Sequence, residues 1–319
     1  MAIIDTDIAT AVDLLGQSQL VAIPTETVYG LAGNAMNAAA VSEIFRVKER
    51  PSFDPLIVHT HSIDRISEFT NGMPLAALEL AQALWPGPLT LILPRKDNIP
   101  YLTTSGLETV GVRIPDHSLT LELLSELEFP LAAPSANPFG YISPTQPEHV
   151  NEQLGQKIPY ILDGGVCRVG IESTIVGFEN DIPVIYRMGG IEVEKIIEIV
   201  GEVNVEKTSS SNPKSPGMLK SHYAPLKKVI IGSIERMIHD YKTEEISIIA
   251  FSEEVEQVPS SQQFVLSRSG DLSEAAQNLF KALRTLDKNN TSVILAELVP
   301  DKGLGRAIND RLIRASTTH

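Results

Sequence analysis

The sequence has a single cysteine in 319 residues, Cys167, which excludes an internal disulfide and any cysteine-rich zinc cage. A lone thiol fits a reducing compartment, and Cys167 reads as a small residue near a strand end rather than a catalytic thiol. Long apolar runs are missing as well. Stretches such as 89–93 and 247–251 fall far short of the roughly 18–20 residues that a membrane span requires. The opening Met1-Ala2-Ile3-Ile4-Asp5 places no basic segment ahead of an apolar one, so no secretory signal is read and the cytoplasm is the expected compartment. There is no Gly-x-x-x-x-Gly-Lys-Ser/Thr phosphate loop, no Gly-x-Gly-x-x-Gly fingerprint, no Gly-x-Ser-x-Gly elbow and no His-Glu-x-x-His pair, which removes the commonest nucleotide, hydrolase and zinc signatures. Internal repeats and low-complexity tracts are also absent.

Basic residues are scarce in one part of the chain. The net charge is −14, and residues 1–205 hold 26 Asp and Glu against 11 Lys and Arg, a balance of −15. So acidic a segment repels nucleic-acid phosphates unless one face is locally basic, so strong tRNA or duplex binding is not expected. The few cations become informative for the same reason. Lys48, Arg50, Arg113 and Arg187 all fall inside the motifs described below.

With 43% hydrophobic content the chain can bury a sizeable core and is expected to form two domains. Apolar spacing predicts helices over 7–15, 38–49, 74–84, 118–127 and 193–200. Strands are predicted at 20–23, 56–59, 89–93, 110–114, 130–133, 160–162, 173–176 and 184–186. That order implies an α/β fold, a large twisted mixed sheet with flanking helices over residues 1–205. Between about 206 and 226 the pattern stops at a polar, proline-broken stretch. Beyond it, strands at 228–231, 246–251, 264–266 and 293–295 alternate with helices at 234–241, 274–286 and 304–315. This predicts a smaller parallel α/β domain over 227–319.

Four segments carry candidate chemistry. Pro24 to Leu31 packs hydroxyls, the Glu26 carboxylate and a glycine into a turn after a strand, although Thr25 or Thr27 would serve equally as a helix cap. Lys48 and Arg50 close a helix, where cations offset the dipole and a solvated charge run is ordinary. An ordered loop containing Ser52 follows them, and two adjacent cations with hydroxyls nearby suit a polyphosphate. His59, on a strand, is by itself more often a satisfied core histidine than a ligand. The strand period of two puts Thr109, Gly111 and Arg113 on one face, with Val110, Val112 and Ile114 on the other. A buried guanidinium there needs an anion, either a protein carboxylate or a substrate carboxylate. Finally, Ala132 to Pro138 ends a strand with small residues and presents Ser135 and Asn137, followed by Ser143. Loops at strand ends are where α/β folds place ligands.

Taken in order, Thr25 to Leu31, Lys48-Glu49-Arg50-Pro51, Arg113-Ile114-Pro115, Pro134-Ser135-Ala136-Asn137 and Glu172-Ser173-Thr174-Ile175 resemble the YrdC-like domain of threonylcarbamoyl-AMP synthases. The match spans roughly residues 10–200. Ser215-Pro216-Gly217-Met218, His222-Tyr223-Ala224-Pro225 and Gly303 to Ile308 resemble the family's long form, which carries an extra C-terminal Rossmann-like domain. The resemblance implies a nucleotidyltransferase that converts L-threonine, bicarbonate or carbon dioxide, and ATP into threonylcarbamoyl-AMP and pyrophosphate, for modification of tRNA beside the anticodon. It implies Lys48 and Arg50 as catalytic cations. ATP would meet them with Ser52, Thr109, Ser135, Asn137, Ser143, Arg187 and Tyr223; L-threonine would meet Thr25, His59, Arg113 and Ser173. Thr109 is placed against either ligand. Magnesium is expected, held mainly by the ATP phosphates and water because no carboxylate cage is legible. A tRNA threonylcarbamoyl-transferase complex is the expected recipient, and residues 213–225 are expected to lie over the site as a lid. Two other readings remain. A carbamoyl-adenylate-forming domain of the hydrogenase-maturation type is disfavoured by the single cysteine, and an RNA-binding module by the acidic balance.

Overall fold

The computed structural model describes residues 1–206 and 223–317. The expected lid therefore lies outside the described residues up to residue 222. The chain forms two compact units. The first contains Met1–Phe139, Pro144–Arg168 and the described residues from Glu172 to 206; the second contains Gly140–Ser143, Val169–Ile171 and the described residues from Tyr223 onward.

The first unit runs β1 (Ile3–Asp5), α1 (Ile8–Gly16), β2 (Val21–Ile23), β3 (Gly30–Asn34), α2 (Ala38–Lys48), β4 (Ile57–His59), α3 (Leu75–Leu84), β5 (Leu89–Pro94) and β6 (Thr109–Arg113). It continues through α4 (Ser118–Glu126), β7 (Leu131–Ala132), α5 (Pro147–Leu154), β8 (Tyr160–Leu162), β9 (Thr174–Glu179), β10 (Ile182–Arg187), α6 (Val193–Val200) and β11 (Asn204–Val205). The strands make one mixed sheet in the order β1-β8-β2-β3-β7-β4-β6-β5-β9-β10-β11, as the alternating pattern predicts. Sequence patterning does not anticipate β1, β3, α5 or β11. β3 reads Gly-Leu-Ala-Gly-Asn, with two glycines and no alternation, and it forms because β2 and β7 flank it on both sides.

Local chemistry sets the ends that matter for the site. Asn37 caps α2 by accepting from the Ala39 N–H at 2.9 Å, satisfying a donor that a helix start leaves free. The helix stops where Glu49 turns left-handed, φ 55°, ahead of Pro51. On β6, Val110, Val112 and Ile114 point into the main core, so Gly111 and Arg113 face the opposite side. A Cβ on Gly111 would stand 3.3 Å from Ile92 and 3.5 Å from Ile57. These two side chains pack with Ile175, Val184 and Tyr186 on that second face.

The second unit holds β12 (Lys228–Ile231), α7 (Ile234–Met237), β13 (Ile246–Ala250), β14 (Gln263–Val265), α8 (Leu272–Asp287), β15 (Val293–Ala296) and α9 (Gly305–Ser316). Its sheet, ordered β12-β15-β13-β14, is parallel at every pairing, as expected from strands alternating with helices. The helix predicted over 234–241 stops at Met237 and tightens to a 3-10 turn over Ile238–Asp240. Arg284 on α8, fully buried, donates to the Ile142 carbonyl and, at 3.4 Å, to that of Ser143. Asp287 accepts the Tyr141 hydroxyl at 2.6 Å and the Lys227 N–H at 3.0 Å. The segment around Gly170 belongs to the same unit, and that residue combines φ +79° with a position where a Cβ would lie 2.3 Å from the Gln277 Cα. No helix among the described residues is long and apolar enough to cross a membrane.

Gly170→Ala is expected to lower unfolding free energy by about 1–3 kcal/mol, because a rigid backbone atom rather than a flexible side chain meets the added carbon. Urea denaturation of the full chain reads this directly.

Candidate active site

Lys48 ends the buried stripe of α2 formed by Val41, Ile44 and Phe45, so the helix aims its ammonium group inward. The Nζ donates to the carbonyls of Ser135 and Asn137 at 2.5 and 2.6 Å, and the Phe139 N–H returns to the Lys48 carbonyl at 2.8 Å. Burial, with Arg50 adding repulsion, holds the lysine well below its ordinary pKa. One side chain thus ties α2 to the loop that follows β7.

Arg50 lies just beyond the left-handed turn. Its Nε donates to the Asp54 carbonyl at 3.0 Å, its Nη2 to the Pro55 carbonyl at 2.9 Å, and it pairs with the Asp54 carboxylate at 2.9 Å. Asp54 is fully buried, and that burial raises its pKa against the pull of Arg50, Lys48 and Arg187. Arg187, at the end of β10, grips Ser173: Nε and Nη2 meet the carbonyl at 3.1 and 2.9 Å, and Nη2 meets the hydroxyl at 3.0 Å. The Ser173 hydroxyl also contacts Thr90 at 2.8 Å. Three cations therefore share the surroundings of one buried carboxylate.

A second cluster forms where β4 and β6 pair in parallel and bring His59 beside Arg113. The Arg113 Nη2 lies 2.7 Å from a Glu26 carboxylate oxygen, and its Nε donates to the Gly87 carbonyl at 3.3 Å. Both members of this ion pair are buried. Burial first, and Arg113 second, push the His59 imidazole down to about 3, so it stays neutral. Its Nδ1 faces the Ile57 carbonyl at 3.2 Å. Thr25 anchors the turn carrying Glu26: its hydroxyl donates to the Val28 carbonyl at 2.7 Å and accepts from the Thr27 and Val28 N–H groups.

The structure joins Lys48 to Ser135 and Asn137, Arg50 to Asp54, and Arg187 to Ser173, with all three cations acting on the Asp54 carboxylate, and it pairs His59 with Arg113 across β4 and β6. Thr109 shares the Arg113 face but sits four residues earlier, on the order of 13 Å along the strand, beside Pro94, Phe178 and Tyr186. Ser52 is exposed on the turn after α2. Ser143 and Tyr223 belong to the second unit, where the Tyr223 ring lies 5.5 Å from that of Phe280. Sequence reasoning named Glu26 only as a turn carboxylate and did not single out Asp54, which lies in the loop containing Ser52. The need of a buried guanidinium for an anion is legible in the sequence, but not which carboxylate meets it. Burial alone does not mark a ligand site: Arg95, equally buried, donates to the Lys96 and Ile99 carbonyls and stacks on Tyr101 at 3.7 Å.

These features define a class: an α/β domain with several buried cations near strand-end loops, in one chain with a parallel-sheet domain. A family model described as telomere recombination, Sua5/YciO/YrdC, matches residues 13–189, and one described as the threonylcarbamoyl-AMP synthase C-terminal domain matches residues 191–317. Threonylcarbamoyl-AMP synthase of Bacillus subtilis is 43% identical, across 98% of this chain and 93% of the relative. The enzyme of the same name from Pyrococcus abyssi is 42% identical, across 97% and 94%. The crystal structure of P. abyssi Sua5 complexed with L-threonine superimposes with a TM-score of 0.93 and 39% identity, covering 99% of this chain and 98% of that one. The chain belongs to the Sua5/YciO/YrdC family and carries the C-terminal domain characteristic of threonylcarbamoyl-AMP synthases.

Asp54→Asn removes the buried counter-charge of Arg50 and is expected to cost about 3–5 kcal/mol of stability, measured by denaturant unfolding. His59 has a pH signature. Its folded pKa lies below the unfolded value, so the unfolded state binds the extra proton and stability falls as pH drops from about 6.5 towards 3. His59→Asn should flatten that slope by up to about 1.4 kcal/mol per pH unit, read from unfolding curves of both proteins between pH 4 and 7.

Proposed function

We propose that this chain is an L-threonylcarbamoyladenylate synthase, forming threonylcarbamoyl-AMP and pyrophosphate from L-threonine, bicarbonate or carbon dioxide, and ATP. The observation that carries this reading is the pair of buried cationic stations within one acidic domain, Lys48 with Arg50 and Arg187, and Arg113 with neutral His59. Two anions of different size fit two stations, a polyphosphate and an amino-acid carboxylate. The threonine-bound relative and the full-length similarity to named synthases support the same assignment.

The chemistry asks the protein to align reactants and neutralise charge. A carbamate formed on the threonine amine attacks the α-phosphorus, and pyrophosphate leaves. Lys48 and Arg50, with Ser52, Ser135 and Arg187, attend the nucleotide, and Asn137 orients its loop. Arg113 takes the threonine carboxylate, with Thr25 and His59 around the amino acid; Ser173, whose carbonyl and hydroxyl are held by Arg187, would reach it from the nucleotide station. Thr109, at the far end of the β6 face, suits a ligand extended along that face, which favours ATP. Ser143 and Tyr223 keep the nucleotide roles that the family resemblance implies. No covalent intermediate on the protein is needed, and Cys167, pushed up to about 12 by burial, is no ready nucleophile. Among the described residues no cluster of His, Cys, Asp and Glu could hold a metal. Magnesium would travel with the ATP phosphates. The product is a mixed anhydride suited to a transferase complex acting on tRNA in the cytoplasm, and the acidic first domain argues against strong direct tRNA binding.

The direct test incubates the protein with threonine, bicarbonate and α-labelled ATP and looks for a threonine-dependent adenylate and pyrophosphate. Formation from carbamoyl phosphate instead would replace this reading with the hydrogenase-maturation type. Arg113→Ala should raise the KM for threonine about 10–100-fold, the value of a charge-assisted contact, whereas Lys48→Ala should chiefly impair ATP use. If both variants lose only thermal stability, these roles are wrong.

A further inference from the structure

Glu26 is almost completely buried, and among the described residues neither carboxylate oxygen finds a well-aligned hydrogen-bond donor. Among the described residues it pairs with Arg113, at 2.7 Å. A buried carboxylate normally accepts several hydrogen bonds, because each lone pair withdrawn from water without a donor costs stability. The residue reaches the Arg113 station from the Thr25 turn, on a backbone fixed by the Thr25 hydroxyl. An anion and a cation side by side, both dry, are complementary to a zwitterion that carries its two charges on one carbon.

We propose that Glu26 accepts the α-ammonium group of the substrate amino acid and takes one of its protons, while Arg113 holds the adjacent carboxylate. This rests on the synthase reading and adds a group to it, since an ammonium nitrogen has no lone pair with which to attack carbon. One N–H bond of the ammonium breaks and its proton passes to the Glu26 carboxylate, leaving a neutral amine. The amine nitrogen then forms a bond to the carbon of bicarbonate. An oxygen leaves as water, carrying the bicarbonate proton and a proton from nitrogen, and the carbamate anion remains.

The other titratable groups around Glu26 are poorer acceptors. His59 on β4 is held neutral with its Nδ1 on the Ile57 carbonyl. His117, on the segment after β6, is shifted down by burial and faces the Gly164 carbonyl with its Nε2 at 3.4 Å. Cys167, on the segment after β8, keeps its proton because burial pushes its thiol up to about 12. Arg113 is a donor only.

The test compares the wild-type chain with Glu26→Gln, which keeps the side-chain shape but cannot take the proton, and with Glu26→Asp, which keeps the charge. Calorimetric titration at pH 7 uses two ligands: L-threonine, and 2,3-dihydroxybutyrate, which retains the carboxylate and hydroxyl but lacks the amine. Glu26→Gln is expected to weaken threonine about tenfold or more and to leave dihydroxybutyrate within about twofold. Glu26→Asp should restore part of the preference for threonine. Parallel loss of both ligands in Glu26→Gln would show that Glu26 merely braces Arg113, and unchanged threonine binding would equally overturn the proposal. For turnover, kcat/KM for threonine in Glu26→Gln should climb about tenfold per pH unit below the amine pKa as free amine replaces the missing base. A profile parallel to the wild type would overturn the proton-transfer step. Should the wild-type chain itself make no threonine-dependent adenylate, the synthase reading fails; the binding comparison still decides what Glu26 recognises.

Discussion

An ammonium group held between two carbonyl oxygens organises the first domain. Lys48 has nowhere else to place its charge: α2 aims it inward, and the carbonyls of Ser135 and Asn137 receive it. The carbonyl pair supplies partial negative charge directly, while the Asp54 carboxylate acts on the lysine from further off. A carboxylate bonded to the Nζ itself would compete with an anionic ligand for its donors.

The other cations show how the fold divides its carboxylates. Asp54 is committed to Arg50 and Glu26 to Arg113, while Arg187 is held by the carbonyl and hydroxyl of Ser173. Such pairing fixes long side chains before any substrate arrives, which lowers the ordering cost of binding. It also explains the neutral histidine beside Arg113. A second positive charge there would repel the guanidinium and, in a dry site, would cost more than the imidazole gains from protonation.

Much of this was legible in the sequence, and the remainder was hidden for physical reasons. The β6 face followed from strand alternation alone: Val110 and Val112 entered the core and Arg113 faced away from it. The four parallel strands of the second domain were readable because each is a short, β-rich apolar run between helices. β3 was not, since its stability comes from neighbours on both sides rather than from its own Gly-Leu-Ala-Gly-Asn composition. The pairings of Glu26 and Asp54 were equally out of reach. Patterning reports which way a side chain points but not which distant turn meets it, and 87 positions separate Glu26 from Arg113.

The segment Gly140–Ser143 has a consequence for how the protein can be divided. It lies between β7 and α5 of the first domain in sequence, yet its carbonyls are received by Arg284 and its tyrosine by Asp287, both on α8. Cutting the polypeptide after β11 would strip these groups of their partners and leave a loop of the amino-terminal half unsupported. The border between the two family matches, near residue 190, is thus not the border between the two compact units, because the second unit reclaims Gly140–Ser143 from the middle of the first match.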